Sequence, residues 1–434
     1  MLSLQSIGLR PDWKSKSVAP RQSTRFQSKK RKALPKISQK DLGNNSVAAM
    51  VMQGLEEDMV REKINNIILI PNYIKQDPIS GWVSTGSFLL DAAIGFPRGL
   101  GVPFPAVIEL LGTESGCKSS VLYRIMANMQ QAFNGWAYLV DVETMFDTDY
   151  GNLANLDMSE GMFGYAQAHR LEDVIKLVAF TIKRNFALDP SMPLCIGVDS
   201  LAGCTNIAEQ DTDSSKDTAR ALHARIMAKS LRAEIVDQLY VQVRDEEGTK
   251  ILAGRPLLVV FVNQLKSTAS STPGEKKYES FGGLALKYHS RVRIEVNRIR
   301  KFKDDPDGQP VGIRVSAEII KSKVGKPYRT VEFDFRFETG IEDYIPVMEY
   351  MDKKKAIEKS GDRYVWNDKK YLKNAFREFL RDNEKEWDRL KQQCLEVMKV
   401  DWGDKHSLAK IVDKTKSRKL SLQVVDEEVE DDDE

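Results

Sequence analysis

Gly112-Thr113-Glu114-Ser115-Gly116-Cys117-Lys118-Ser119 keeps the spacing of a phosphate-binding loop, G-x-x-x-x-G-K-[ST], at every position but one. In such a loop backbone N–H groups cradle phosphate, the lysine reaches the β- and γ-phosphates, and the hydroxyl holds Mg²⁺. Lys118 is therefore the phosphate lysine and Ser119 the cation ligand, with Ser120 beside them. Cys117 occupies the place of the second glycine, and its Cβ crowds a loop that must wrap tightly. Hydrolysis needs further acids. Leu194-Cys195-Ile196-Gly197-Val198-Asp199-Ser200 has the form of a strand whose terminal acid supports the Mg²⁺ shell. Trp136 to Glu143 is a second strand ending in acids, and Glu143 at its carboxyl edge can orient and deprotonate an attacking water. Singly, each acid is better explained as a helix N-cap or a solvated turn. Three matched elements on successive strands favour a nucleotide-hydrolysing site.

These residues need a scaffold that brings strand ends together. Ala106–Leu111 reads as a short buried strand, and Lys118–Phe133 carries Leu122, Ile125, Met126, Met129 and Phe133 at helical spacing. The loop thus ends at a helix N-terminus, where an anion is welcome. Further strands are expected at 136–141, 194–199 and 257–263. Helices fall between them, one over 171–186 (Leu171, Val174, Ile175, Val178, Ile182) and one over 219–239. Such alternation predicts an α/β fold with a mostly parallel sheet covered on both faces. Segments 292–299, 311–320 and 329–337 read as antiparallel hairpins extending the sheet. The expected division is a basic arm over 1–45, a small helical segment over 46–80, the α/β core over 81–345, a separate small helical domain over 346–415, and an acidic tail over 416–434.

The 434 residues carry a net charge of only +2, which by itself names no partner, but the charge is unevenly spread. Residues 1–40 hold eleven Lys/Arg against the single acid Asp12, and the last nine residues hold eight acids. A basic arm and an acidic tail are common in proteins that handle nucleic acid, though two solvated termini explain them equally well. Cys117, Cys195, Cys204 and Cys394 have neither metal-ligand nor disulfide spacing, which suits a reducing cytosol. No apolar run approaches the ~18 residues of a membrane helix, so no membrane partner is expected. The first residues lack the apolar stretch of a secretory signal. Arg/Ser-rich and acid-poor, they also fit an organellar transit peptide. The cytoplasm, of a host cell if the source is viral, is the expected location.

Beyond the phosphate loop, the sequence resembles the RecA-type recombinases from about Val83 to Val400, and in its acidic tail. Val83-Ser84-Thr85-Gly86-Ser87 with Leu90-Asp91-Ala92-Ala93-Ile94-Gly95 resembles the family's opening segment. Asp141-Val142-Glu143 resembles its catalytic-glutamate strand, and Phe261-Val262-Asn263-Gln264 the strand whose glutamine senses the γ-phosphate and opens the second DNA-binding loop. Gly282-Gly283-Leu284-Ala285-Leu286-Lys287-Tyr288 resembles the end of that loop. Leu222 to Arg232 resembles the helix after the first DNA-binding loop, and Asp352 to Gly361 with Tyr364 the start of the bacterial C-terminal domain. The resemblance implies an ATPase using Mg²⁺, with Lys118, Glu143 and Gln264 in catalysis. It implies Asp147 and Tyr150 on the adenine, and Lys321 and Lys323 reaching ATP across a subunit interface. It also implies a helical filament on single-stranded DNA that pairs with homologous duplex DNA, served by single-strand-binding and mediator proteins. Thr113 departs from the proline usual in the bacterial form. Cys117 is similar to the bulkier residue of phage UvsX-type members, which points to a viral or mobile-element source.

The DNA surface is expected at Arg225 and Arg232, seven residues apart and so on one face of a helix. The polar loop from Lys266 to Gly282-Gly283, with Lys287 after it, joins them. A solvated helix face and simple loop flexibility are the plain alternatives. Two rival functions stay open: a hexameric RecA-fold helicase-like motor, and a non-hydrolysing DNA-binding mediator in which Cys117 marks a decayed site.

Overall fold

The computed structural model divides the chain into two compact units, Met1–Pro71 and Asn72–Glu434. The structure describes Leu55, 79–205, 216–244, 250–268, 277–281, 283–304 and 308–403; apart from Leu55 all lie in the second unit, the only one treated below. The basic arm, most of the 46–80 segment and the acidic tail lie outside the described residues.

The chain opens with β1 (Gly81–Val83), α1 (Phe88–Gly95) and β2 (Val102–Phe104), then β3 (Ala106–Gly112), α2 (Lys118–Phe133) and β4 (Trp136–Asp141). It continues through α3 (Thr148–Leu153), β5 (Phe163–Gln167), α4 (Leu171–Leu188) and β6 (Leu194–Asp199) to α5 (Lys216–Ser230). Next come β7 (Tyr240–Arg244), β8 (Lys250–Gly254), β9 (Leu257–Thr268), β10 (Lys277–Ser280), α6 (Gly283–His289) and β11 (Val292–Phe302). The rest is β12 (Gly312–Ser322), β13 (Thr330–Arg336), β14 (Gly340–Glu342), α7 (Tyr344–Lys353), β15 (Lys359–Ser360), β16 (Arg363–Trp366), β17 (Lys369–Tyr371), α8 (Lys373–Asp382) and α9 (Glu384–Trp402).

A ten-stranded sheet dominates, ordered β14-β13-β12-β11-β3-β9-β6-β4-β5, with β10 paired to β9. From β11 to β5 neighbouring strands run parallel, and β12 to β14 extend the sheet antiparallel, as the alternation and the hairpin pattern predict. Every residue of β3 is buried, as a central strand covered on both faces must be. Alternation along β9 divides the core: Leu258, Val260 and Val262 join α1 and α2 on one face, while Leu257, Val259 and Phe261 join α4 and the residues after α5 on the other. The apolar stripe read from 171–186 is buried as expected, with Leu171, Val174, Ile175, Val178 and Ile182 in the second cluster.

Three readings change. Strand β5 and the β7–β8 hairpin add to the predicted elements. The helix expected over 219–239 stops at Ser230 and gives way to a π turn, Leu231–Ile235. Arg232 therefore lies beyond the α-helix, and the seven-residue spacing no longer sets it on the same helical face as Arg225. The segment after Tyr344 is helical but carries the small β15–β16–β17 sheet, and it shares the core instead of standing apart. Val347, Met348, Met351, Phe376 and Leu380 belong to the same buried cluster as α2. Among the described residues no helix is long and apolar enough to cross a membrane.

Buried ion pairs fasten this C-terminal region. Arg377 of α8 grips Glu342 with two hydrogen bonds, 2.7 and 2.8 Å, and Arg336 adds a third at 2.8 Å. Arg314 binds Asp334 and reaches Glu349 of α7 at 2.5 Å. Removing one partner of such a pair costs about 3–5 kcal/mol, because the other charge is left buried.

Asp343, 4 % exposed, is a different case. Its Oδ2 accepts from Ser87 Oγ and Leu89 N at 2.9 Å, while Oδ1 has no partner among the described residues. Burial pushes its carboxyl up to about 7, against the pull of the Leu89 and Ser87 hydrogen bonds. The folded chain thus holds a proton that the unfolded chain releases from about pH 4 upward, and stability falls as pH rises through that window. Asp343→Asn escapes this loss. Its melting temperature should gain on the wild type from pH 5 to pH 8, by a stabilisation of roughly 1–3 kcal/mol. A wild-type-minus-variant difference that is flat over this range contradicts the assignment.

Candidate functional site

Register builds the site. Gly112 on β3 pairs with Gln264 on β9, and Asp141 on β4 pairs with Asp199 on β6. The carboxyl ends of four parallel strands therefore meet at one edge, where open α/β sheets bind ligands. The loop over 112–119 leaves β3 at that edge. Gly112 passes so close to β11 that a Cβ there would sit 2.0 Å from the Val296 carbonyl oxygen, so no other residue fits. Asn297 of β11 holds the loop from outside, its Oδ1 accepting from Thr113 N at 3.1 Å and Thr113 Oγ1 at 3.2 Å.

Cys117 adopts φ 72°, the left-handed region where a Cβ is penalised by roughly 1–2 kcal/mol. The chain has therefore kept the glycine conformation with a non-glycine residue. Burial pushes the thiol up to about 12, so it is a neutral packing group and not a thiolate. Lys118 Nζ donates to Thr113 O at 2.6 Å, folded back across its own loop. Burial lowers the pKa of this ammonium, opposed by the charges of Asp199, Glu143 and Glu114.

The acids gather around the lysine. Burial raises Asp199 to about 6; a hydrogen bond with Ser119 draws it down, and Glu143 and Asp141 push it up. Tyr123 OH also donates to Asp199, at 3.4 Å. Glu143 Oε1 accepts a short hydrogen bond from Ser200 Oγ and one from Gln264 Nε2 at 3.3 Å. Asp141 does not face the chemistry alone: it accepts from Thr144 N at 2.8 Å, Phe146 N at 2.9 Å and Tyr165 OH at 3.0 Å. It thereby fixes the turn that presents Glu143 and, further on, Asp147.

A cleft of about 390 Å³ opens between the loop and this turn. Of the expected nucleotide residues, Ser115, Gly116, Cys117, Lys118, Ser119, Ser120, Asp147, Tyr150 and Asp199 line it, together with Glu143. Gly112, Thr113 and Glu114 do not; they shape the loop from behind. Phe335 and Phe337 of the β13 end form an apolar wall opposite, suited to a flat base, and Arg298 and Lys301 add positive charge. These four were not anticipated, although 298–303 is visibly basic. Ser119 and Asp199 offer one hydroxyl and one carboxylate, both hard oxygen donors. That small set fits Mg²⁺, which keeps several waters and takes its other ligands from phosphate. Among the described residues no cluster of three or more His, Cys, Asp or Glu could hold a metal without such help.

Lys321 and Lys323 lie away from this cleft. Lys321 Nζ donates to Tyr288 O at 2.9 Å and to Lys287 O, capping the C-terminus of α6. Arg225 and Arg232 are exposed. The helix of Arg225 abuts the expected loop end: His223 lies against Phe281 at 4.5 Å between ring centroids. A Cβ on Gly283, φ +66°, would meet Ala224 Cβ at 2.8 Å. The Lys266 side chain and Gly282 lie outside the described residues.

The RecA N-terminal domain profile matches residues 70–342, well over half the chain. The chain belongs to the RecA family. It is 29% identical over 320 residues to Protein RecA of Chlamydia felis, covering 73% of this chain and 83% of that protein. Protein RecA of Wolinella succinogenes is 30% identical over 303 residues (69% and 78%), and that of Rhodopirellula baltica 30% over 316 residues (72% and 76%). Within this RecA-family site, Cys117 tests the loop most sharply. Cys117→Gly should preserve or tighten nucleotide binding. Cys117→Val, β-branched and excluded from the left-handed region, should weaken it at least tenfold in a fluorescent-nucleotide titration. Equal affinity in both variants contradicts the loop conformation.

Proposed function

We propose that the cleft is the ATPase site of a recombinase that forms helical filaments on single-stranded DNA and exchanges strands with homologous duplex DNA. The observation that carries this reading is the hydrogen bond of Gln264 to Glu143, which joins the hydrolytic carboxylate to the strand that leads into the expected DNA loop. In this reading Lys118 leaves the Thr113 carbonyl and turns to the β- and γ-phosphates, which the N-terminus of α2 favours. Tyr150, Phe335 and Phe337 enclose the base. Glu143 takes the proton of the attacking water, and Ser200 and Gln264 hold the carboxylate in place. Ser119 and Asp199 would hold Mg²⁺, whose chemistry is to neutralise charge on the phosphates.

Lys321 and Lys323 come to the ATP from a neighbouring protomer, so that the site is complete only in the filament. Burial lowers Lys321 to about 8, with Lys323 and Arg293 adding to the effect. The intact set of Lys118, Ser119, Asp199 and Glu143 speaks against a decayed mediator. The division into arm, N-terminal segment, core, C-terminal region and tail, the viral source, the single-strand-binding and mediator partners and the cytoplasmic location belong to the same proposal.

Strand exchange with ATP on single-stranded DNA tests it, with Lys118→Ala as the variant that should lose both exchange and hydrolysis. In the same material, Arg225→Ala with Arg232→Ala should weaken single-strand binding for every sequence and flatten its salt dependence by about one slope unit per lost phosphate contact. Base preference that changes while the slope stays intact contradicts phosphate binding by these arginines.

A further inference from the structure

Glu109 stands in the middle of β3, fully buried, where an apolar residue would pack without cost. An isolated carboxylate cannot remain charged there, and the structure supplies partners from both neighbouring strands. Arg293 of β11 makes an ion pair with its Oε2. Asn263 of β9 donates Nδ2 to its Oε1 at 2.9 Å. One carboxylate thus bridges three adjacent strands. A buried ion pair adds little stability over an apolar isostere, so its contribution here is a fixed acceptor at a defined place.

What it fixes is Asn263. This amide, also fully buried, has three polar contacts. Nδ2 donates to Glu109 and, at 2.8 Å, to the carbonyl of Phe281; Oδ1 accepts from Gln264 N at 3.0 Å. Both amide hydrogens are engaged, and an unmade hydrogen bond at a buried polar group costs about 1–3 kcal/mol. Gln264 immediately precedes, and Phe281 immediately follows, the β9–β10 pairing that begins at Leu265 and Ser280 and leads into the expected loop. One side chain therefore ties the two ends together, and Gln264 carries the tie to Glu143. The far end is anchored in the same way. Arg293 pairs in register with Lys321, which caps α6, the helix that begins just after Phe281.

We propose that Asn263, held by the Glu109–Arg293 pair, is a positioning residue that couples DNA held between Gln264 and Phe281 to the placement of Gln264 on Glu143. A shift of the Phe281 carbonyl turns the Asn263 amide instead of breaking its bonds, because each broken bond would leave a buried group unpaired. The turned amide carries Gln264 N with it. This inference rests on the recombinase reading, in which the segment after Gln264 holds DNA.

The test is steady-state ATP hydrolysis by the full chain across a titration of single-stranded DNA. For Asn263→Ala, the ratio of DNA-stimulated to DNA-independent kcat should fall at least tenfold, while KM for ATP stays within about twofold. Asn263→Asp keeps the size and the acceptor for Gln264 N but loses both donors, and should show the same loss. Stimulation at the wild-type ratio in both variants overturns the coupling. An equal fall of kcat with and without DNA, accompanied by a raised KM, marks a merely structural role and overturns it too. A wild-type chain whose hydrolysis ignores DNA overturns the recombinase reading itself, a result visible before any variant is made.

Discussion

Parallel register is the constraint on which the rest of this molecule depends. Side chains alternate faces along a strand, so a slip of one residue between β3 and β9 would send Gln264 to the wrong face of the sheet. With Gly112 opposite Gln264, and Asp141 opposite Asp199, the loop over 112–119, the Asp199 carboxylate and the turn that presents Glu143 all emerge at one edge. The register is held by the two-sided core: Val107, Val140, Val198 and Phe261 pack on one face while Ile108, Leu110, Leu139 and Val260 pack on the other. Within that apolar core Glu109 meets Asn263 and Arg293 only in the observed alignment.

Against that apolar background a few polar groups are buried at positions where they direct other groups. Asp141 spends its oxygens on the turn that presents Glu143, and Glu109 spends its own on Arg293 and Asn263. Half-buried Asn297 reaches back to Thr113 across 184 residues of sequence to steady the phosphate loop. The two buried acids are poor sources of stability and good sources of geometry, because a buried polar atom tolerates only the arrangement that satisfies it. At Cys117 the reverse holds. Backbone strain is kept in place by the loop, Gly112 and α2 around it.

Much of this was legible in the residues. The phosphate loop, the strand ending at Asp199, Glu143 as the edge carboxylate and the apolar stripe of α4 all follow from local spacing, and local spacing decides them. Gln264, Asp147 and Tyr150 were reached only through resemblance. The parts that escaped are long-range or irregular. Nothing near Asn263 says that its amide will meet Glu109 and Phe281, since neither lies within reach along the chain. Phe335 and Phe337 read as strand residues and became a wall of the cleft only because β13 crosses behind it. The helix carrying Arg225 looked continuous to Leu239, yet it loosens into a π turn at Leu231, where no proline or glycine announces a break. The C-terminal region looked detachable by its charge, but its Arg377 turns inward onto Glu342 and its Glu349 pairs with Arg314 of β12.

Glu143→Gln tests directly whether the acid at the edge of β4 carries hydrolysis. The substitution keeps the shape, and the amide oxygen can still accept from Ser200, but the group that takes the proton is gone. Rapid-mixing hydrolysis on single-stranded DNA should show ATP bound with wild-type affinity and cleaved about 10²-fold more slowly, the scale of a lost general base. Turnover within a few-fold of the wild type would mean that another carboxylate activates the water, and that the site has been assigned to the wrong residue.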